Sequence, residues 1–258
     1  MAPAAAGWLL ACGLHYPEVQ DDRLVMVALL DPDSAAHAVW ARPIATAAGP
    51  VSVTAKLYRG VRQAGGFSWM LVATAEESER PQCGGQWATS RIHGTLFCVD
   101  PGAPLDPGAA YMVEVSAGGY RTARGHTLVV GDFEVREVVL TTAGASAKLD
   151  ASWTRSVGAH RYFVALRRLH PPIRVENPKG WYADVDGTSI ATVVPDSAID
   201  DAVPPITLDV AAASRELHEY MTSGMGRGSL SVPPLQNVEN GFGVVGSIRF
   251  RSLPVESR

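Results

Sequence analysis

The sequence lacks the residue spacings that common catalytic sites require. A hydrolase nucleophile elbow needs Gly-x-Ser-x-Gly, whereas residues 66–70 read Gly-Phe-Ser-Trp-Met and lack the second glycine. A phosphate-binding loop needs a lysine, whereas residues 224–229 read Gly-Met-Gly-Arg-Gly-Ser. We therefore predict that the protein is not an enzyme. A secreted hydrolase of glycans, esters or peptides is the alternative, because paired catalytic carboxylates are spaced in the fold and not along the chain.

Metal ligands and cofactor motifs are also missing from the sequence. The seven histidines form no His-Glu-x-x-His pair. Residues 184–187, Asp-Val-Asp-Gly, resemble the start of a calcium loop, but no glutamate stands where such a loop ends, and Asp-Gly indicates a hairpin turn instead. We expect neither a metal nor a cofactor.

Cys12 is the residue whose surroundings most clearly indicate a chemical use. It ends an apolar run with the length of a signal-peptide core, short of the roughly 18 residues of a spanning helix. Residues 9–13, Leu-Leu-Ala-Cys-Gly, resemble a lipobox, where bacterial lipoproteins are cleaved and acylated. The resemblance implies that residues 1–21 are a signal remnant and tether, with Gly13 favouring the outer membrane. A frayed apolar tail is the alternative.

With Cys12 lipidated, Cys83 and Cys98 remain as an even pair. A disulfide between them would close a loop of about 15 residues and stabilise the fold by roughly 3 kcal/mol, in an oxidising compartment. Two reduced thiols are the alternative. Zinc is disfavoured, because the pair lacks a Cys-x-x-Cys spacing and His93 is the only nearby third ligand.

Charge and composition exclude some classes of protein. The formal net charge of −4 provides no broad positive field, so we expect no nucleic-acid partner. A hydrophobic content of 47%, with 25 Gly and 18 Pro, is typical of a folded chain with many turns. The 258 residues accommodate two β-sandwiches of about 100 residues each.

Residues 22–142 have the pattern of an N-terminal β-sandwich, in which short β-rich runs are separated by turn residues. A Pro-Gly turn before Tyr111 resembles a strand start of immunoglobulin-like and fibronectin-like domains, where the tyrosine is structural. The predicted strands are Leu24–Leu30, Ala38–Ile44, Val51–Tyr58, Ser68–Thr74, Gly94–Val99, Tyr111–Ser116, His126–Val130 and Phe133–Leu140.

Residues 147–253 are predicted to form a second β domain, after a small and polar linker at 141–146. A strand ending in Trp153 and a strand opening with Tyr162 resemble the fibronectin type III pattern. One inserted helix is predicted at 211–222, with its apolar residues on one face. The fold class is therefore mainly β, with two immunoglobulin-like or fibronectin type III-like sandwiches. The further predicted strands are Gly180–Val185, Ser189–Val194 and Phe242–Phe250.

Aromatic residues near turns are the candidates for ligand binding, because a flat ring provides contact area at low entropic cost. Trp181 and Tyr182 precede the turn at Asp186, and Trp87 lies inside the loop that Cys83 and Cys98 bound. Packing in the core or along a strand is the alternative for each.

Residues 237–246 carry the most specific resemblance to a family. They read Asn-Val-Glu-Asn-Gly-Phe-Gly-Val-Val-Gly, and roughly Asn-Ile-Glu-Gly-Gly-Leu-Gly-Val-Phe-Gly recurs in a family of uncharacterised bacterial envelope lipoproteins, from which Asn240 departs. The resemblance implies a β-rich surface lipoprotein, often associated with outer-membrane uptake systems. Gly241, Gly243 and Gly246 would allow close backbone approach or positive φ around a terminal strand.

These observations together predict a lipid-anchored envelope protein of the outer membrane. We expect it to act as a non-catalytic binding or assembly module, held at the membrane by its N-terminal lipid. The expected partner is an envelope protein or an oligosaccharide.

Overall fold

The computed structural model describes residues 22–44, 52–76, 95–143, 146–168, 181–195, 206–225 and 236–255. This part of the chain contains fifteen strands and one helix. In chain order they are β1 (Leu24–Leu30), β2 (His37–Pro43), β3 (Val53–Gln63), β4 (Gly66–Glu76), β5 (Thr95–Val99), β6 (Ala110–Ala117), β7 (Ala123–Leu128), β8 (Val135–Ala143), β9 (Ser146–Trp153), β10 (Arg161–Arg168), β11 (Tyr182–Val185), β12 (Ser189–Pro195), β13 (Ile206–Ala213), α1 (Arg215–Met225), β14 (Val238–Glu239) and β15 (Gly241–Val255).

Several strands form because apolar side chains recur at every second position, whereas β13 is buried along its whole length. In β7 and β9 buried residues alternate with more exposed ones, so that each strand turns one face to a core. The strands make up three sheets, which pack into two sandwiches. The predicted fold class, mainly β with β-sandwiches and one short helix, is confirmed.

β15 is 15 residues long and belongs to both sandwiches. Its first half, from Gly241 to Ser247, pairs in parallel with β1, and its second half, from Ile248 to Val255, pairs antiparallel with β13. A single seven-stranded sheet therefore runs through the molecule in the order β11-β10-β13-β15-β1-β2-β5.

The first sandwich packs the β15-β1-β2-β5 part of that sheet against a five-stranded sheet of order β14-β7-β6-β3-β4. Its core contains Leu24, Leu57, Phe97 and Val113, all at most 1% exposed. Tyr111 is buried at the edge of this core, and its hydroxyl accepts a hydrogen bond from the backbone N–H of Asp106 at 3.1 Å. The structural role predicted for Tyr111 is confirmed.

The second sandwich packs the three-stranded sheet β12-β9-β8 against the β11-β10-β13-β15 part of the large sheet. Trp153 and Tyr162 are buried with their rings 5.4 Å apart, and the hydroxyl of Tyr162 accepts a hydrogen bond from the N–H of Ser156 at 2.7 Å. The tryptophan and tyrosine of the fibronectin type III pattern thus meet in the core. This half of the molecule is a β-sandwich of a three-stranded and a four-stranded layer.

The chain passes from one sandwich to the other earlier than the predicted linker at 141–146. Val129 packs in the first core, and Val130 packs in the second. β8 then pairs with β9 in the second sandwich, so that residues 141–143 and 146 belong to strands. Small side chains indicated a linker, but the described residues of this segment are paired in a sheet.

The helix begins later than predicted, at Arg215 in place of 211. Residues 211–213 complete β13, where they pair with β15. The carbonyl of Ser214 then accepts a hydrogen bond from the N–H of His218 in the first turn of the helix. The described residues include no helix that is long and apolar enough to cross a membrane.

Two arginines of β15 bridge the junction between the sandwiches. Arg249 Nε and Arg251 Nη1 donate to the carboxylate of Asp33 at 3.0 and 2.7 Å, and Arg251 also donates to Asp132, which lies between β7 and β8. Burial acts to raise the pKa of Asp132, but hydrogen bonds from Arg251 and from the N–H of Phe133 outweigh it and lower that pKa. The junction is therefore held by salt bridges from Arg249 and Arg251.

Candidate functional site

The structure describes three of the residues that were predicted to form sites. Cys98 lies half-buried on β5. Its pairing with Cys83 stays a prediction, because Cys83 lies outside the described part of the chain. Trp181 is partly buried against the second core, and Tyr182 is the first residue of β11, opposite Ala165. Ligand binding by Trp181 and Tyr182 also stays a prediction. The predicted site residues outside the described part of the chain are Cys12, Cys83 and Trp87.

The hairpin of β3 and β4 projects from the first sandwich. These strands pair as far as Gln63 and Gly66, whereas the pairing of β3 with β6 ends at Arg59. Every residue from Val61 to Ser68 is exposed. β4 is the outermost strand of its sheet. The hairpin therefore presents a long, accessible surface.

The outer side of the five-stranded sheet carries large apolar and ring side chains, which we call the aromatic face. One row across β4, β3, β6 and β7 consists of Leu71, Tyr58, Met112 and His126, on the side of the sheet away from the core. Trp69 on β4 and Leu128 on β7 lie on the same side, two residues closer to the hairpin turn. The aromatic face consists of Tyr58, Trp69, Leu71, Met112, His126 and Leu128.

Trp69 is positioned by its contacts with the sheet. A Cβ atom at Gly60 would lie 2.9 Å from the Trp69 ring, so that glycine is what allows the ring to sit over β3. The ring of Phe67 lies 5.5 Å from that of Trp69, and the ring of His126 lies 5.9 Å away on β7. The indole is therefore held in place and remains partly exposed.

Charged side chains border the aromatic face on the side away from the hairpin turn. The carboxylate of Glu114 accepts hydrogen bonds from Tyr58 Oη at 3.2 Å and from Arg124 Nε at 2.7 Å, and Lys56 Nζ lies 3.9 Å away. The bond with Glu114 raises the pKa of Arg124, whereas burial and then Glu114 raise the pKa of Tyr58. Ordered donors and acceptors thus lie beside exposed rings.

An Asp–His pair in the second sandwich has part of the geometry of a catalytic triad. His218 Nε2 lies 2.8 Å from Asp184 Oδ2, and Phe163 stacks on the imidazole at 5.6 Å. The other ring nitrogen, Nδ1, is buried and has no hydrogen-bond partner among the described residues. The ring therefore contacts no hydroxyl nucleophile in this part of the chain, and the pair joins α1 to β11.

The remaining features offer little for chemistry. A shallow depression of about 630 Å³ at the junction is lined by Asp132, Glu134 and Arg251, among others. The lowered pKa of Asp132 makes this carboxyl a poor general acid. The described ranges contain no group of three or more His, Cys, Asp or Glu side chains that could hold a metal ion.

The aromatic face was not predicted from the sequence, because its members come from four strands. Part of the signal is nonetheless visible in the chain. Phe67, Trp69 and Leu71 occupy alternate positions, which lie on the same face of a strand. As a sequence motif, residues 66–70 resembled only an incomplete nucleophile elbow.

Comparison with known proteins leaves the family of this chain undetermined. No protein-family model and no curated protein matches it. Among solved structures, the crystal structure of the chicken CNTN1 FN1-FN3 domains is similar at 11% sequence identity with a TM-score of 0.31. The match covers 90% of this chain and 66% of the chicken chain. The sandwich architecture is shown by the sheets and the two cores themselves.

Proposed function

We propose that this protein is a non-catalytic binding or assembly module, anchored in the outer membrane of a bacterial envelope by a lipid on Cys12. The aromatic face binds its partner, an envelope protein or an oligosaccharide. That face carries the proposal, since large apolar side chains exposed together on a folded surface mark interaction sites. The lipobox resemblance at residues 9–13 supports the anchor.

The order of the aromatic face favours binding. Trp69 is already held over Gly60, so that little side-chain entropy is lost when a partner covers it. Glu114 and Arg124 supply a polar rim next to the rings. The same groups suit a protein surface or a sugar, whose C–H face packs on an aromatic ring while its hydroxyls form hydrogen bonds.

The anchor is tested by labelling. We expect palmitate to be incorporated into the protein when its full-length gene is expressed in a bacterial host, because Cys12 provides the acyl-accepting thiol. Cys12→Ser should carry no label, whereas the control Cys98→Ser should keep it. Absence of label from the wild type, or label retained in Cys12→Ser, would contradict the anchor.

The binding surface is tested by photo-crosslinking in the envelope. A photoreactive residue at Leu71 or Leu128, which are 51% and 44% exposed, should form adducts. The matched control is Val193, which is 64% exposed in the second sandwich and should form none. Trp69→Ala should lower the adduct yield at Leu71 about tenfold, as expected for an aromatic hot spot.

Two results would contradict this assignment of the aromatic face. One is an equal adduct yield at Leu71, Leu128 and Val193, which would mean that contacts are unspecific. The other is the absence of adducts at Leu71 and Leu128 together with no retention of the protein on a glycan panel.

A further inference from the structure

The tip of the β3–β4 hairpin, which we define as residues 61–70, is unusually apolar for an exposed segment. Seven large apolar side chains are exposed in the described part of the chain, and four of them lie on this hairpin. They are Val61, Phe67, Met70 and Leu71, which are 48%, 41%, 50% and 51% exposed. The turn between the strands adds only small or amide residues, at 63–66.

Apolar side chains leave the hairpin tip on both of its faces. Phe67 and Trp69 lie on the side of the aromatic face, whereas the alternation of strand side chains places Val61 and Met70 on the opposite side. A protein that packs on one side of a hairpin leaves the other side in water. A lipid surface into which the tip enters covers both sides at once.

The inward-facing backbone groups of the hairpin tip are paired inside the hairpin, whereas the outward-facing groups of β4, and of β3 beyond Arg59, have no strand partner in the described part of the chain. The two strands pair as far as Gln63 and Gly66, and Gln63 Nε2 donates to Ser68 Oγ at 3.0 Å. Unpaired polar groups are what makes most irregular segments costly to transfer into lipid. Pairing removes this cost for the inward-facing groups, and a tip that enters no deeper than the headgroup boundary leaves the outward-facing groups in contact with water and phosphates.

The charge of the hairpin also fits a lipid surface. From Arg59 to Ala75 the chain has two arginines and no acidic residue, although the whole protein carries a net charge of −4. Arg59 pairs with Asp106 at 2.6 Å. Arg62 is exposed opposite Phe67. A cation beside aromatic and apolar side chains complements the phosphates and acyl chains of an anionic membrane.

We propose that the hairpin tip docks onto an anionic phospholipid surface. Val61, Phe67 and Met70 enter the boundary between headgroups and acyl chains, and Arg62 contacts the lipid phosphates. This contact goes beyond the proposed function, because it requires neither a lipid on Cys12 nor a partner on the aromatic face. It adds a second membrane contact, which would fix the orientation of the first sandwich.

The test uses the full chain with Cys12→Ser, so that no acyl group contributes to binding. We expect it to sediment with vesicles of equal parts phosphatidylcholine and phosphatidylglycerol, and much less with phosphatidylcholine alone. The double variant Phe67→Ser/Met70→Ser should bind at least roughly tenfold more weakly, because it removes two apolar side chains that the lipid would bury. Arg62→Gln should weaken binding about fivefold on anionic vesicles only.

The matched control is Val157→Ser/Val193→Ser, which changes two apolar side chains that are each 64% exposed outside the hairpin. It should bind like the parent chain. The changed side chains of the tip variants are exposed, so their urea midpoints should equal that of the parent and show that they fold. Absence of binding by the parent chain, or equal binding by the parent and the Phe67/Met70 variant, would overturn the proposal. Neither result depends on palmitate labelling or on crosslinking at Leu71.

Discussion

Replacing Gly243 with alanine should lower the free energy of unfolding by more than about 3 kcal/mol, or prevent folding altogether. Gly243 has a φ of +115°, a backbone conformation that residues with a Cβ rarely adopt. A Cβ atom there would lie 1.9 Å from the carbonyl oxygen of Met26, its partner in the parallel pairing of β1 and β15. The clash is with backbone, so that a side-chain rotation cannot relieve it.

Urea unfolding of the wild type and Gly243→Ala measures this effect. Gly118→Ala is the control, because a Cβ atom at Gly118 meets nothing within 4 Å, and it should change stability by no more than about 0.5 kcal/mol. Wild-type stability in Gly243→Ala would show that β1 and β15 do not pair in the register described here.

A second large effect is expected from His37 when the pH falls. His37 is 1% exposed on β2, and neither of its ring nitrogens has a hydrogen-bond partner among the described residues. Burial lowers the pKa of His37 from 6.5 to about 4, against a smaller opposing effect of Asp100. Between these two values the unfolded chain binds a proton that the folded chain does not. Stability should therefore decrease as the pH falls from about 6.5 to 4, by up to roughly 3 kcal/mol.

Urea midpoints at several pH values from 7 to 4.5 test this expectation. His37→Leu should remove the contribution of His37 to the dependence of stability on pH. It should retain the stability seen near pH 7, since the imidazole that leucine replaces forms no hydrogen bond with the described residues. Val193→Ser, a change at an exposed side chain that does not titrate, is the control and should keep the wild-type slope. An unchanged slope in His37→Leu would mean that His37 titrates normally in the folded chain.

Local patterns predicted much of the fold. Alternating apolar residues located most strands, and the glycines at 241, 243 and 246 predicted close backbone approach around a terminal strand. The strands of the structure confirm the first prediction. Close backbone approach is confirmed as well, because a Cβ atom at Gly241 would lie 2.8 Å from the carbonyl oxygen of Leu24. Asn240, where the resembled family has glycine, has a φ of +56°, a conformation that asparagine tolerates better than most residues.

The rest of the fold depends on partners that are distant in the chain. Residues 211–213 have the composition of a helix, but pairing with β15 makes them a strand. Residues 60–66, Gly-Val-Arg-Gln-Ala-Gly-Gly, have the composition of a loop, and strand pairing extends the hairpin through most of them. The aromatic face gathers residues from 58 to 128, and no local spacing predicts that they meet. The burial of His37 is a tertiary property for the same reason.

The shared strand β15 also determines when the chain can fold during its synthesis. Ser247 Oγ donates to the carbonyl of Leu30, which was made 217 residues earlier. Both sandwiches lack one of their strands until β15 has left the ribosome, so neither can be completed before then. Such distant pairing slows folding. Arrival of β15 therefore completes the two sandwiches in the same event.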